Sequence, residues 1–219
     1  MKILVTGFDP FGGEKVNPAF EVLKKLKRNI AGAKISLLEV PTVFGESVAK
    51  VISAIEKQKP DVVLMIGQAG GRYEVTVERI GINIDDARIP DNKNNQPIDK
   101  PIDPEGPAAY FATVPVKAMV QAIRKSGVPA SVSNTAGTFV CNHLLYGVLH
   151  YLAKNAPQVK AGFIHIPLLI EQAIGKTNMP SMGLKTMVTA IEAAITAVVS
   201  SSSKKASTKK PKSPQKVSS

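Results

Sequence analysis

The chain has 219 residues, 44% of them hydrophobic, and a formal net charge of +11. This length supports one sizeable core, and a single cysteine excludes an internal disulfide, which favours a reducing compartment. Six lysines and no acid lie in residues 200–219, so more than half of the excess charge belongs to that segment and residues 1–199 are only mildly basic.

Residues 1–199 are predicted to form one domain. Residues 200–219 are rich in Ser, Lys and Pro, which predicts a disordered tail. We favour a solvated tail without a catalytic role, and weak contact with nucleic acid or another acidic partner is the alternative. The first apolar run is too short for a signal peptide and the last apolar helix is interrupted by Glu192, so we expect a soluble, cytoplasmic protein.

Strands and helices alternate along the chain. Apolar runs predict strands near residues 2–6, 35–40, 62–66, 130–133 and 161–166, with extended structure at 75–77 and 80–84. Apolar residues at helical spacing predict helices near residues 18–28, 48–55, 116–123, 141–152 and 184–198. This order predicts an α/β fold, an open, mainly parallel twisted sheet with helices on both faces in three layers.

Unusual loops follow three of the predicted strands. They begin after Thr6, Ile66 and Ser133, and the first two are rich in glycine. In a parallel sheet all three would leave the carboxyl edge, where ligands bind. Residues 85–107 form a further loop rich in Pro, Asp and Asn, and a loop of this length in a compact domain indicates function. We expect it to border the site.

Cys141 opens a predicted helix, and this position favours chemistry. The unpaired N–H groups and the positive end of the helix dipole stabilise a thiolate there, so we expect a pKa lowered towards neutrality and a nucleophilic sulfur. The alternative is that Cys141 is a small buried apolar side chain.

A nucleophilic cysteine needs a base, and the chain has three histidines. His143 lies two positions after Cys141 and faces another side of the helix. His150 lies nine positions on and is too far along the axis. His165 ends its strand near the predicted start of the Cys141 helix, so it alone can approach the thiol; a buried structural histidine is the alternative.

The residues alone leave the third group open. Glu74, Glu78, Asp85, Asp86 and Asp91 all lie near the predicted edge. No metal site is expected, because the chain lacks an H-E-x-x-H motif and clustered Cys and His. No phosphate site is expected either, because neither glycine-rich loop has P-loop or dinucleotide-binding spacing.

Two long segments resemble the pyroglutamyl peptidase (pyrrolidone-carboxylate peptidase) family of cysteine peptidases. SNTAGTFVCNHLLY, residues 133–146, resembles the family's cysteine signature, and GQAGGRYEVTVERIGIN, residues 67–83, resembles its glutamate signature. Three shorter segments, GFDPFGGEKVNP, DDARIPDN and GFIHIP, agree in order and spacing. The resemblance covers residues 1–199.

The resemblance implies Cys141 as nucleophile, His165 as general base and then acid, and Glu78 as the orienting acid. The implied reaction removes an N-terminal pyroglutamyl group from peptides through a thioester, without a cofactor or a metal. Backbone N–H groups at the start of the Cys141 helix would hold the oxyanion, and the family suggests that Arg88 helps.

The resemblance also implies a pocket for the pyroglutamyl ring. Phe8, Phe11 and Phe139 match positions that pack on the ring, while Asn17 and the backbone at Gln68 match positions that bind the lactam. Ordinary core packing is the alternative for each phenylalanine.

The family further suggests a homo-oligomer, either a dimer or a homotetramer, acting on pyroglutamyl peptides and not on a membrane. The competing hypothesis is a non-catalytic relative whose basic tail binds nucleic acid or another acidic partner.

Overall fold

The computed structural model describes residues 1–207. The strands in that part of the chain are β1 (Lys2–Phe8), β2 (Asn29–Ile30), β3 (Ala33–Val40), β4 (Val62–Gln68), β5 (Val75–Glu78), β6 (Ile80–Ile82), β7 (Ala109–Phe111), β8 (Ala130–Ser133) and β9 (Lys160–Ile166). The helices are α1 (Pro18–Lys25), α2 (Glu46–Gln58), α3 (Val116–Lys125), α4 (Val140–Asn155), α5 (Ile170–Ala173) and α6 (Leu184–Ser207).

Seven strands form one open sheet in the order β2-β3-β1-β4-β9-β5-β8. The four central neighbours β3, β1, β4 and β9 run parallel, so the predicted mainly parallel α/β sheet is confirmed. β6 and β7 form a separate antiparallel pair.

Helices cover both faces of this sheet. One core contains residues of α1, α3 and α6, and the other contains residues of α2 and α4. Alternate residues of β4 enter the two cores, with Leu64 in the first and Met65 in the second. A strand buried on both faces has no need of polar residues, which explains the continuous apolar run from 62 to 66.

The direction of two strands differs from the prediction. β5 runs antiparallel to β9, and β8 runs parallel to β5. The loop after Ser133 therefore leaves in the opposite direction from the loops after β1 and β4, so the expectation that all three leave one edge is wrong. Short strands with alternating residues carry no signal of direction, which is decided by the pairing.

The predicted loop of residues 85–107 lacks helix and strand, but its backbone is well tied. The Asp91 carboxylate, 5% exposed, accepts hydrogen bonds from the backbone N–H groups of Phe44, Lys93 and Asn95. Asp85 and Lys100 form an isolated antiparallel bridge at the base of the loop. These contacts hold the loop against the segment just before α2 and join the two ends of the loop.

The predicted boundary at residue 199 falls inside α6, which continues to Ser207. Disorder from residue 200 is therefore wrong for 200–207, and the rest of the predicted tail, 208–219, lies outside the described residues. In residues 1–207, one stretch, Leu184–Ser203, is long and apolar enough to cross a membrane by composition, and 39% of it is buried. Met187, Ile191 and Ile195 on this stretch are 0% exposed in the core.

Candidate active site

The thiol of Cys141 lies against the sheet at Gly67, the register partner of His165. Gly67 on β4 and His165 on β9 are register partners, so their Cα–Cβ directions share one face of the sheet. A Cβ added to Gly67 would lie 2.9 Å from Cys141 Sγ. The sulfur and the imidazole are therefore on the same face, and only a glycine at position 67 leaves room for the sulfur.

Glu78 completes the group from the antiparallel strand. His165 Nδ1 lies 2.8 Å from Glu78 Oε1, and the Glu78 side chain is 0% exposed. Because β5 runs against β9, Glu78 stands opposite Phe163, deep in the sheet. The reversal of β5 thus explains how a carboxylate comes to be buried under the imidazole.

The shifted pKa values fix the protonation of this pair. Burial favours the protonated form of Glu78, but the hydrogen bond and electrostatic attraction of His165, together with hydrogen bonds from Ser133 and Arg72, outweigh it and hold the pKa of this carboxyl below its ordinary value. Burial lowers the pKa of His165 although Glu78 raises it. An ionised Glu78 only accepts, so Nδ1 of a neutral His165 carries the hydrogen and Nε2 is left as the base.

The expected low pKa of Cys141 is not found. Burial and the nearby Glu78 carboxylate raise the pKa of this thiol to about 12, and the opposing effect of Arg72 is smaller. The position at the second residue of α4 is as predicted. At this site loss of hydration outweighs the helix terminus, so the resting state is a neutral thiol beside a neutral imidazole.

Arg72 is a site residue that the sequence reasoning missed. Its Nη1 donates to Glu78 Oε1 at 2.6 Å and also bonds the Thr76 hydroxyl, and its Nη2 donates to the Thr135 carbonyl at 3.1 Å. A charged residue directly after the glycines of the loop following β4 was the available signal.

The start of α4 offers backbone donors. Phe139 is the N-cap residue and supplies no side-chain hydrogen bond, and the first N–H groups of a helix have no partner within it. Thr138 and Asp86 exchange two hydrogen bonds of 2.7 Å and 2.9 Å. Arg88 therefore belongs to a loop tied to the residues before Cys141, and its side chain is exposed.

An aromatic group borders the thiol. Phe11 lies 6.1 Å from Phe139, and Phe44, which the sequence reasoning did not select, lies 5.4 Å from Phe139 edge-on. Phe11, Phe44 and Phe139 are half-buried. Phe8 is 2% exposed and packs on Phe163 in the core, so its direct contact with a ligand is not favoured.

The two predicted lactam-binding groups differ in availability. Asn17 is 1% exposed; its Oδ1 accepts from Ala19 N and its Nδ2 donates to Asp9 O. This side chain holds the first loop. The backbone of Gln68 pairs with Ile166 of β9 on one side, and on the other side it lies two residues beyond the last β1–β4 register pair, Gly7–Ile66.

The other histidines have other partners. His143 Nδ1 lies 2.8 Å from Asp85 Oδ2, and its Nε2 accepts from Gly45 N at 2.8 Å. His150 lies between Asp103 and Tyr110. Neither is beside the thiol, as expected. Within residues 1–207 no group of three or more His, Cys, Asp or Glu side chains is arranged to hold a metal ion.

Glu74, Asp86 and Asp91, which were also considered as the orienting acid, do not contact His165. In the described part of the chain the His165 ring is hydrogen-bonded to Glu78, and Asp85 is paired with His143. Of the five carboxylates considered, Glu78 is therefore the one that is hydrogen-bonded to His165.

Known proteins resemble this chain over nearly its whole length. The family model for pyroglutamyl peptidase matches residues 1–201. The pyrrolidone-carboxylate peptidase 1 of Caldanaerobacter subterraneus subsp. tengcongensis is 65% identical over 91% of this chain and 98% of its own length. The pyrrolidone-carboxylate peptidase of Treponema denticola is 61% identical over 93% of this chain and 95% of its own.

Solved structures agree with the fold. The pyroglutamyl peptidase I of Bacillus amyloliquefaciens matches with a TM-score of 0.87 at 46% identity, covering 91% of this chain and 97% of that chain. A variant of the pyrrolidone carboxyl peptidase of Pyrococcus furiosus matches with a TM-score of 0.88 at 39% identity, covering 92% and 99%.

Proposed function

The chain belongs to the pyroglutamyl peptidase family of cysteine peptidases, which remove an N-terminal pyroglutamyl group, and we propose that Cys141, His165 and Glu78 perform this reaction in it. The observation that carries the assignment is the hydrogen bond between His165 Nδ1 and a fully buried Glu78, on the face of the sheet where the thiol lies. No cofactor enters this scheme.

The first half of the reaction forms a thioester. The Cys141 sulfur attacks the carbonyl carbon that joins the pyroglutamyl ring to the next residue, while the thiol proton passes to His165 Nε2. The carbon–nitrogen bond then breaks, and His165 returns that proton to the leaving amine. Transfer of the proton during the attack suits a thiol whose pKa is raised to about 12, because no free thiolate has to form first.

The second half restores the thiol. Water attacks the thioester carbon and gives a proton to His165, the carbon–sulfur bond breaks, and the sulfur takes the proton back as 5-oxoproline leaves. In both halves Glu78 stabilises the imidazolium that forms on His165. The backbone N–H groups at the start of α4, with help from Arg88, stabilise the oxyanion.

Specificity comes from the ring of the substrate. Phe11 and Phe139 pack on the flat lactam, and the backbone of Gln68 binds its amide, with Asn17 fixing the loop that carries Phe11. Phe8 supports this pocket from the core. An ordinary N-terminus would bring an unpaired ammonium into the pocket, at a cost of several kcal/mol.

Hydrolysis of pyroglutamyl-coumarin amide tests this assignment. We expect turnover by the wild-type protein, loss of it in Cys141→Ala and after thiol alkylation, and rates about a thousandfold lower with prolyl-coumarin amide because the lactam donors and acceptors stay empty. Turnover that survives Cys141→Ala would refute the nucleophile. No turnover, together with salt-dependent nucleic-acid binding lost on deleting residues 204–219, would favour the non-catalytic binding protein.

Assembly and location complete the proposal. We infer a homo-oligomer, a dimer or tetramer, because two isoleucines in the segment after β9, Ile170 and Ile174, are 57% and 76% exposed. A cytoplasmic location suits a chain whose one cysteine must stay reduced to act. Light scattering on Ile174→Asp, with Ile98→Asp at another exposed isoleucine as control, tests the assembly: loss of the oligomer in the first alone is expected.

A further inference from the structure

Arg72 joins two parts of the site that are far apart in sequence. One arm of its guanidinium binds Glu78 Oε1 at 2.6 Å, and the other donates to the Thr135 carbonyl at 3.1 Å. Thr135 lies in the connection between β8 and α4, six residues before Cys141. The single side chain thus links the carboxylate beneath His165 to the segment that leads to the nucleophile.

A buried carboxylate in this position needs a cation. Glu78 is 0% exposed, and a neutral His165 gives it one hydrogen bond but no positive charge. Among the side chains of residues 1–203, the lysine or arginine that pairs with Glu78 is Arg72. An unpaired carboxylate in such surroundings takes up a proton. A protonated Glu78 would no longer stabilise an imidazolium.

The groups around Glu78 leave Arg72 without a substitute. They are His165 on β9, Cys141 on α4, the Ser133 hydroxyl on β8 and the Thr76 hydroxyl on β5. Arg72, His165 and Thr76 converge on Oε1, while Glu78 Oε2 is buried without a partner within the described chain. Among the side chains of residues 1–203, no second lysine or arginine pairs with Glu78 to share the charge.

We propose that Arg72 is a positioning residue of the reaction: its charge keeps Glu78 ionised, and its planar fork fixes the connection that leads to Cys141. The planar guanidinium suits both tasks at once, because a lysine ammonium supplies the charge without the fork. The inference rests on the proposed function, since it assigns Arg72 a task only if Cys141, His165 and Glu78 are the reacting group.

Two substitutions separate the two tasks. Arg72→Met removes both the charge and the fork. Because a nearby positive charge opposes protonation, we expect the acid limb of kcat/KM to move to higher pH by about one pH unit or more. Arg72→Lys keeps the charge, so we expect the acid limb to stay near the wild-type position while kcat falls by roughly tenfold. The control is Arg79→Met, which removes a neighbouring arginine outside the site.

The measurements are the pH profile of kcat/KM on pyroglutamyl-coumarin amide and the melting temperature of each variant. Unchanged pH profiles in Arg72→Met, with or without lower activity, would overturn the proposal and leave Arg72 as a structural residue. If Arg72→Met does not fold, Arg72→Lys decides, because full wild-type kcat in that variant would refute the role of the fork. An inactive wild type, or an active Cys141→Ala, would instead refute the proposed function.

Discussion

Two buried histidine–carboxylate pairs in this protein have the same geometry and different uses. His165 Nδ1 lies 2.8 Å from Glu78, and His143 Nδ1 lies 2.8 Å from Asp85. The difference is at the other nitrogen. His143 Nε2 accepts the Gly45 N–H at 2.8 Å, whereas His165 has no second hydrogen bond within residues 1–207. A histidine–carboxylate pair alone therefore does not single out the proposed base; the second nitrogen distinguishes His165 from His143.

The residues around the two pairs also differ. The first pair has Arg72 against its carboxylate and the thiol on its face of the sheet. The second holds the base of the 85–107 loop and the start of α2 against α4, and its histidine packs edge-on against Phe44. Both nitrogens of His143 are hydrogen-bonded, so this pair ties loop and helix together and leaves no ring nitrogen free to take up a proton.

The largest expected effect comes from replacing each of the two histidines by asparagine and comparing the variants. His165→Asn should lower kcat/KM by roughly 10³-fold, because acid–base transfer is lost. His143→Asn should leave the chemistry largely intact but reduce the free energy of unfolding by about 1–3 kcal/mol, because the Gly45 N–H or Asp85 loses its partner. Kinetics and denaturant unfolding on both variants test this. Similar kinetic losses in the two would show that the pairs are not distinct.

Replacing the two carboxylates, Glu78 and Asp85, should produce a smaller difference in kcat. Glu78→Gln removes the charge that stabilises the imidazolium, and we expect kcat to fall by roughly 10²-fold. Asp85→Asn retains an acceptor for His143 Nδ1, so its kcat should stay within about threefold of wild type. Steady-state kinetics at saturating substrate measures both. Full activity in Glu78→Gln would leave the peptidase assignment standing and remove Glu78 as the orienting acid.

Alkylation of Cys141 tests its protonation. Because the pKa is raised to about 12, the thiol is neutral at lower pH, and the rate of reaction with iodoacetamide should rise about tenfold per pH unit through pH 9. His143→Asn, which breaks the His143–Asp85 pair, should not alter the slope of the alkylation rate against pH. A plateau near pH 7 would show that the start of α4 outweighs burial and that a stable thiolate forms.

The smallest effect is expected at Phe44, which joins the two regions. Phe44→Leu removes the edge-on contact with Phe139, and an aromatic pair of this kind contributes about 0.5–1.5 kcal/mol. We expect KM to rise by roughly threefold to tenfold with kcat nearly unchanged. Phe20→Leu, on α1 and far from Phe139, is the matched control. A fall in kcat without a change in KM would contradict a role in the pocket wall.

The sequence predicted the parts of the fold that depend on apolar periodicity. The central strands, the five longer helices and the opening of α4 at Cys141 follow from such patterns. The direction of β5 and β8 does not, because β5 is set by its pairing with β9 and β8 by its pairing with β5. The two-residue β2 and the four-residue α5 were missed because segments that short carry no period.

Site residues were predictable from the sequence where their position at the end of a helix or strand limits where the side chain can lie. Cys141 and His165 follow from helix and strand ends, while Glu78 had to be taken from the family resemblance, since its depth depends on the reversed β5. Arg72 and the raised pKa of Cys141 depend on which groups surround each atom. Such surroundings come from tertiary contacts that no local pattern records.

The burial of Glu78 at 0% exposure has a consequence for the ionic strength at which the protein works. Dissolved ions screen charges that water reaches, over about 10 Å at 0.1 M salt, and screen buried pairs much less. Dissolved salt should therefore weaken the interaction between Glu78 and His165 very little. Catalysis should tolerate concentrated salt that would weaken the exposed ion pair of Lys24 and Glu21 on the surface.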